Sequence, residues 1–79
     1  MPRLLLKYGY RFHFYAGDRA EPPHVHVDGH GGSAKFWLES VELVRSDGIP
    51  RRDLIRIREA VEEHRTGMLE VWREFMGRR

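Results

Sequence analysis

The chain has 79 residues, a formal net charge of +2 and no cysteine. A chain of this length forms one domain, close to the lower size limit for a core that is stable without disulfides or metal ions. The lack of cysteine excludes disulfides and thiolate metal sites and fits a reducing cytosol. Only three leucines lie between Arg3 and Lys7, too few for a signal-peptide core or a membrane span. We therefore expect a soluble cytoplasmic protein without membrane contact, with residues 1–79 forming a single domain.

The basic excess lies in the C-terminal part of the chain. Residues 1–48 contain six basic and six acidic side chains, and residues 49–79 contain eight basic and six acidic ones. Such a basic excess can meet the phosphates of nucleic acid. The alternative is a solvated helix face on which arginine stems cover apolar neighbours. The cluster responsible is Arg51, Arg52, Arg56 and Arg58.

Two short runs near the N-terminus predict a first β-hairpin. Residues 4–8 form an apolar run, and Gly9 permits a tight reversal. Residues 10–15 then alternate in the period of a strand. Because so little chain joins the two runs, they should pair antiparallel. One face of the second strand carries Tyr10, Phe12 and Phe14, and the other carries Arg11, His13 and Tyr15.

Residues 21–27, Glu-Pro-Pro-His-Val-His-Val, are the most specific stretch of the chain. The two prolines favour extended backbone, and the His/Val alternation that follows has the period of a β-strand. On this pattern His24 and His26 face water, and the two valines face the core. A glycine-rich connection at residues 29–32 and an alternating strand at residues 33–38 complete a second predicted hairpin, with a mobile tip.

The remainder of the chain changes from strand to helix. Residues 39–45 are ambiguous between a fifth strand and a helical turn, with a slight preference for the strand, and residues 46–48 form a turn. From Pro50 the apolar residues have helical spacing, and Gly77 is a natural stop. We expect an α+β fold in which an antiparallel sheet of four or five strands (two hairpins, residues 1–48) packs on a long C-terminal amphipathic helix (residues 49–77).

The length of the predicted helix indicates a further contact. An unbroken helix over this range is about 40 Å long, whereas a six-residue strand spans about 20 Å. Either the helix breaks near Gly67, or another chain covers its second half, and we favour the second. This predicts a homodimer or a complex with a small protein, through Met68, Val71, Trp72 and Phe75.

The polar face of the predicted sheet collects groups that bind phosphate and move protons. Alternation puts the α-carbons of His24 and His26 about 7 Å apart on one face. Imidazoles with nearby cations are what a small metal-independent ribonuclease requires. The candidate catalytic residues are His24, His26, His13, Arg11 and Lys35. Tyr15 and Trp37 would stack on bases and, with the arginine cluster, are the candidate nucleic-acid-binding residues.

Two other interpretations of the histidines remain open. A His-x-His pair on a strand binds zinc when a third ligand is near, and Asp28, His13 or His30 would be that ligand. Alternatively, the imidazoles satisfy backbone groups of the loop that follows Pro22 and Pro23. We assign no metal and no other cofactor from the sequence.

Three segments in this order resemble a known family: Gly9–Tyr15 (GYRFHFY), Glu21–Val27 (EPPHVHV) and Ala34–Leu38 (AKFWL). They resemble the short prokaryotic proteins grouped as domain-of-unknown-function family 4160, over nearly the whole chain. The resemblance implies a bacterial or archaeal cytoplasmic protein, often encoded beside a second small protein as in toxin–antitoxin pairs. It implies no catalytic residues. The expected function is therefore one component of a toxin–antitoxin-like module that binds a small protein and RNA or DNA, with a ribonuclease or a metal-binding module as alternatives.

Overall fold

The fold is that of a computed structural model, which describes residues 3–15, 17 and 20–77. The described chain contains strands β1 (Arg3–Lys7), β2 (Tyr10–His13), β3 (His24–Gly29), β4 (Gly32–Trp37) and β5 (Leu43–Asp47), followed by helices α1 (Arg51–Glu63) and α2 (Arg65–Gly77). All strand pairs are antiparallel and the sheet order is β1-β2-β3-β4-β5. The predicted α+β fold is confirmed, and the two predicted hairpins are joined into one meander.

Two-residue turns close both hairpins. Turn Tyr8–Gly9 joins β1 to β2, and turn His30–Gly31 joins β3 to β4. All four turn residues have positive φ, between 51° and 81°. Positive φ at both central positions defines the type I′ turn, whose twist matches that of the flanking strands. The glycine-rich connection is therefore a tight turn that fixes the pairing of β3 with β4.

The ambiguous stretch at residues 39–45 is a loop that leads into β5 at Leu43. All five residues of β5 are exposed, because this strand is at the edge of the sheet. In the preceding loop Val41 has a φ of 59° and a buried side chain. A β-branched residue with positive φ is strained by about 1–3 kcal/mol, so the packing around this loop must hold it in place.

One face of the sheet packs on the helices and forms a single core. Alternate side chains of the inner strands are buried together with one side of each helix, as the sequence periods predict. The strands and the segments that follow them supply Tyr10, Phe12, Phe14, Val25, Val27, Ala34, Phe36 and Leu38. The helices supply Ile57, Ala60, Val61, Met68, Leu69, Trp72 and Met76.

The prediction of one long helix is wrong, because the chain leaves helical geometry at His64, three residues before Gly67. His64 has φ −100° and ψ 12° and ends α1. Arg65, the first residue of α2, donates from Nε to the carbonyl oxygens of Leu38 at 2.9 Å and Glu39 at 3.1 Å. These bonds attach the first turn of α2 to the loop after β4. No helix in the described chain is long and apolar enough to cross a membrane.

The break changes the expected partner surface. Met68 and Trp72 are only 4% and 6% exposed, so the protein's own core covers them. The Trp72 ring lies edge-to-face on Phe14, with centroids 5.0 Å apart. Phe75 is partly buried against the same core, whereas Val71 is 37% exposed. The expectation that a second chain must cover this stripe is therefore wrong for Met68 and Trp72.

A hydrogen bond attaches the start of α1 to the sheet. Tyr10 Oη donates to Asp53 Oδ2 at 2.7 Å, and the tyrosine is 1% exposed. Asp53 lies in the first turn of α1, where the helix dipole favours a carboxylate. The hydrogen bond to Asp53 raises the pKa of Tyr10, and burial and the negative charge of Asp53 act in the same direction.

Tyr10→Phe should lower the free energy of unfolding by about 1–3 kcal/mol, because it leaves a partly buried carboxylate without its donor. Since the folded state holds the Tyr10 proton more tightly than the unfolded state, this contribution is complete below the ordinary pKa of 10.0 and is lost as pH rises through the raised pKa. Urea denaturation at about pH 8 and about pH 10.5 measures both effects. Tyr8→Phe, at a half-exposed tyrosine, is the matched control and should change little. Equal stability of the two variants at the lower pH would refute this role of the bond.

Candidate functional site

The sheet face opposite the helices carries the candidate site. The strand register aligns its polar side chains in two rows that run across the strands. Neighbouring strands are about 4.8 Å apart, so consecutive members of a row are direct neighbours. The first row is Arg11, Asp28, Ser33 and Asp47, and the second is His13, His26, Lys35 and Arg45. We call these two rows, together with Tyr15, the polar face.

Asp28 connects the two rows. Its Oδ1 accepts from Arg11 Nε at 2.9 Å and lies 2.8 Å from Nη2 of the same guanidinium. Its Oδ2 is 3.2 Å from His13 Nε2. An ionised carboxylate only accepts hydrogen bonds, so His13 Nε2 carries a proton and donates it. In a neutral imidazole the lone pair of His13 then belongs to Nδ1.

His13, His26 and Tyr15 form a cluster of rings. The two imidazoles are within 23° of parallel, with centroids 6.0 Å apart. The Tyr15 ring lies edge-on to both, 4.9 Å from His13 and 4.6 Å from His26. The His13 side chain is only 13% exposed, His26 is partly buried, and Tyr15 is 39% exposed. The cluster therefore presents one accessible aromatic ring beside two imidazoles.

A depression of about 230 Å³ lies beside the ring cluster. Its volume is below the roughly 300–1,000 Å³ of typical small-molecule pockets, so it suits one group of an extended ligand better than a complete small molecule. Arg45, on β5, contributes a positive charge to this depression. Arg45 is not among the site residues predicted from the sequence, because the sequence leaves the strand assignment of this segment ambiguous. The strand pairing identifies it, since Arg45 is the cross-strand partner of Lys35. The lining residues are Tyr15, His26, Val27, Asp28, Ser33, Ala34 and Arg45.

Lys35 is the buried member of its row. It is 8% exposed, and its Nζ donates to Glu21 Oε1 at 2.6 Å. The same ammonium group lies 5.1 Å from the centroid of the Trp37 ring. Because Glu21 already compensates the charge of Lys35, the exposed Arg45 is the better placed cation for an anionic ligand.

His24 does not face solvent as the alternation predicts. It is fully buried, and its Nδ1 donates to the carbonyl oxygen of Pro22 at 2.9 Å. The strand alternation itself is intact, because His24 pairs with Trp37 across β3 and β4. The cause is α2, which places Trp72 with its ring centroid 5.1 Å from that of His24. Of the two histidines, only His26 lines the depression, and His24 fits the alternative of an imidazole that satisfies the loop backbone.

The structure separates the nucleic-acid-binding candidates into two groups. Tyr15 and Trp37 lie on the side of the polar face, whereas α1 packs against the opposite side of the sheet. The Arg56 guanidinium lies 5.6 Å from the Tyr8 ring centroid. The arginine cluster is therefore not brought together with the polar face. Its members Arg51, Arg52, Arg56 and Arg58 are all exposed on α1.

The candidate metal ligands do not converge. Across residues 3–15, 17 and 20–77, no group of three His, Asp or Glu side chains has the arrangement of a metal site. His30, one of the ligands considered, lies in the turn after β3 and donates from Nε2 to the Tyr8 carbonyl oxygen at 3.3 Å.

Comparison with protein families identifies one match. The sequence profile described as "Domain of unknown function (DUF4160)" matches residues 9–73, which include the polar face and most of both helices. No curated protein matches the chain, and no solved structure does.

His24→Ala should lower the free energy of unfolding by about 2–4 kcal/mol, because it removes a fully buried ring and a hydrogen bond to the Pro22 carbonyl. His64→Ala, at a histidine whose side chain is 41% exposed, should change it by less than about 1 kcal/mol. Chemical denaturation followed by circular dichroism measures both. A His24→Ala protein as stable as the His64→Ala protein would contradict the structural role.

Proposed function

We propose that this chain, which belongs to the DUF4160 family, binds single-stranded RNA on its polar face as one component of a toxin–antitoxin-like module. The observation that carries the proposal is the exposed Tyr15 ring, packed on two imidazoles beside a depression that Arg45 lines. Ring stacking and an exposed cation are the two elements with which proteins bind unpaired nucleotides.

The accessibility of Tyr15 favours single strands over duplexes. A duplex keeps its base faces stacked on one another, whereas an unpaired base offers a face to an aromatic side chain. Arg45 can contact a neighbouring phosphate. Asp28 and Ser33, which also line the depression, offer hydrogen-bonding groups to a ribose hydroxyl. This last contact favours RNA, since DNA lacks the 2′-hydroxyl group.

The charge balance of the polar face limits the salt dependence of binding. Arg11 is paired with Asp28 and Lys35 with Glu21, so these two cations are already compensated. Arg45 is left as the main phosphate contact. Each neutralised phosphate of a single strand contributes a slope of about −0.7 to log K against log salt, so the slope should be near that of one phosphate. Stacking would then supply most of the affinity.

Tyr15→Ala should weaken binding of a fluorescent single-stranded RNA of about 12 nucleotides by roughly 5- to 150-fold, the equivalent of about 1–3 kcal/mol of stacking. Tyr15→Phe should bind as the parent does, because it keeps the ring. Arg45→Gln should flatten the salt dependence. Arg52→Gln on α1 is the control and should change affinity by less than about twofold. Fluorescence anisotropy measures the RNA affinity of each variant. If Arg52→Gln weakens RNA binding and Tyr15→Ala does not, the arginine cluster is the binding surface and the proposal for the polar face is refuted.

A second surface supports the proposed small protein partner. Where α1 meets α2, a cleft of about 210 Å³ lies between the edge strand β1 and the start of α2. Val71 borders the cleft and is 37% exposed. A side chain at Gly67 would meet nothing within 4 Å, so there is space beside the helix. Of the predicted partner-binding residues, we therefore retain Val71 as the candidate contact. The cleft lining is Leu4, Leu5, His64, Gly67, Met68 and Val71.

Val71→Asp should abolish co-purification with the product of the neighbouring gene, because it places a charge beside the apolar cleft. Val44→Asp is the matched control: Val44 is 38% exposed on β5, at the other edge of the sheet. Size-exclusion chromatography with light scattering measures the mass of each complex. If both variants retain the partner, the cleft is not its binding site. A dimer mass for the protein alone that Val71→Asp reduces to a monomer would assign the cleft to a second copy.

A further inference from the structure

The polar face contains a pair of imidazoles that RNA binding alone does not require. His13 on β2 and His26 on β3 are cross-strand partners, and their nearly parallel rings have centroids 6.0 Å apart. Imidazole is the side chain best suited to accept and donate protons near neutral pH. A displacement at phosphorus, in which a nucleophile replaces a leaving group, can be accelerated by two such groups, one as base and one as acid.

Asp28 and Arg11 prepare one member of this pair for the role of base. The His13 Nε2 proton is donated to Asp28, so the lone pair of the neutral ring is at Nδ1. Arg11 bonds the same carboxylate at 2.8 Å and 2.9 Å and holds it in position. A carboxylate that orients an imidazole and stabilises its protonated form is the arrangement that serine hydrolases use.

We infer that the polar face cleaves the RNA that it binds, by proton transfer through His13 and His26. The inference rests on the proposed function, since an RNA must first occupy the depression. His26 lines this depression, and His13 lies next to it, against the rings of Tyr15 and His26. RNA is the fitting substrate class because it carries its own nucleophile, the 2′-hydroxyl group, next to the phosphate. The chain then needs to supply a base, an acid and a positive charge.

The step balances without any co-reactant. His13 Nδ1 takes the proton of the 2′-hydroxyl group while the 2′-oxygen forms a bond to the adjacent phosphorus. The bond from phosphorus to the 5′-oxygen breaks, and this oxygen takes a proton from the imidazolium form of His26. The products are a 2′,3′-cyclic phosphate and a 5′-hydroxyl end. Proton exchange with water restores both histidines, and Arg45 stabilises the charge on the phosphoryl oxygens.

The test is incubation of the full chain with a labelled single-stranded RNA in the presence of EDTA, followed by mass spectrometry of the fragments. We expect fragments that end in a 2′,3′-cyclic phosphate, and an intact strand when every 2′-hydroxyl group is replaced by hydrogen or methoxy. His13→Gln and His26→Gln should each lower the cleavage rate by about 10²- to 10⁴-fold. Circular dichroism of both variants, compared with that of the parent, reports that they are folded.

Two further variants serve as controls. One tests whether Asp28 acts by orienting His13, and the other tests whether the cleavage comes from a contaminating nuclease. Asp28→Asn removes the group that orients His13, so it should lower the rate and move the pH profile of cleavage, which a purely structural role would not do. Arg52→Gln on α1, purified in parallel, should cleave as the parent does. Cleavage by the His26→Gln preparation at the parent rate would overturn the assignment.

The remaining outcomes distinguish failure of this inference from failure of RNA binding. An RNA that is bound and left intact overturns the cleavage step and leaves the binding proposal standing. An RNA that is neither bound nor cleaved overturns both. Equal cleavage of the DNA strand overturns the mechanism, because DNA lacks the attacking 2′-oxygen.

Discussion

The register of the sheet is the constraint on which every other feature of this protein depends. Turns Tyr8–Gly9 and His30–Gly31 fix the pairing of β1 with β2 and of β3 with β4 to a single register. A slip by one residue in either hairpin would move every side chain of a strand to the other face. The same register that assembles the aromatic core on one side aligns His13, His26 and Arg45 on the other.

The sequence predicts the parts of this arrangement that local periodicity controls. The strict alternation in β2 and β3 correctly assigns Phe12 and Val25 to the core, and the helical spacing after Pro50 gives the start of α1 to within two residues. Contacts between elements far apart in sequence control what the sequence does not predict. The burial of His24 depends on Trp72, which lies 48 positions later in the chain, and no local sequence pattern predicts that contact.

The helix break has the same kind of cause. Gly67 is the residue whose propensity suggests a break, yet the chain departs from helical geometry at His64. The hydrogen bonds of Arg65 to the loop after β4 fix where α2 begins, and they depend on where that loop lies in the fold. The loop in turn contains the strained Val41, so the position of α2 depends on a backbone conformation that valine disfavours.

The polar face is organised by charge pairs between neighbouring strands and by one pair between the sheet and a loop. Arg11 with Asp28 and Lys35 with Glu21 leave the face almost neutral while they fix the positions of the side chains around His13 and His26. A surface meant only to attract nucleic acid would keep its cations exposed, as α1 does with its arginines. Because these cations are paired, they attract a distant nucleic acid less strongly, but the side chains around them are held in a fixed geometry. Proton transfer requires such a fixed geometry, whereas simple electrostatic binding does not.

The two proposed surfaces are connected through one strand pair. Leu5, which lines the cleft, pairs with Phe12 on β2, and the neighbours of Phe12 on either side are Arg11 and His13. Strand β1 is therefore hydrogen-bonded directly to the strand that carries the oriented imidazole. A protein bound in the cleft would contact the edge of the sheet beside this strand.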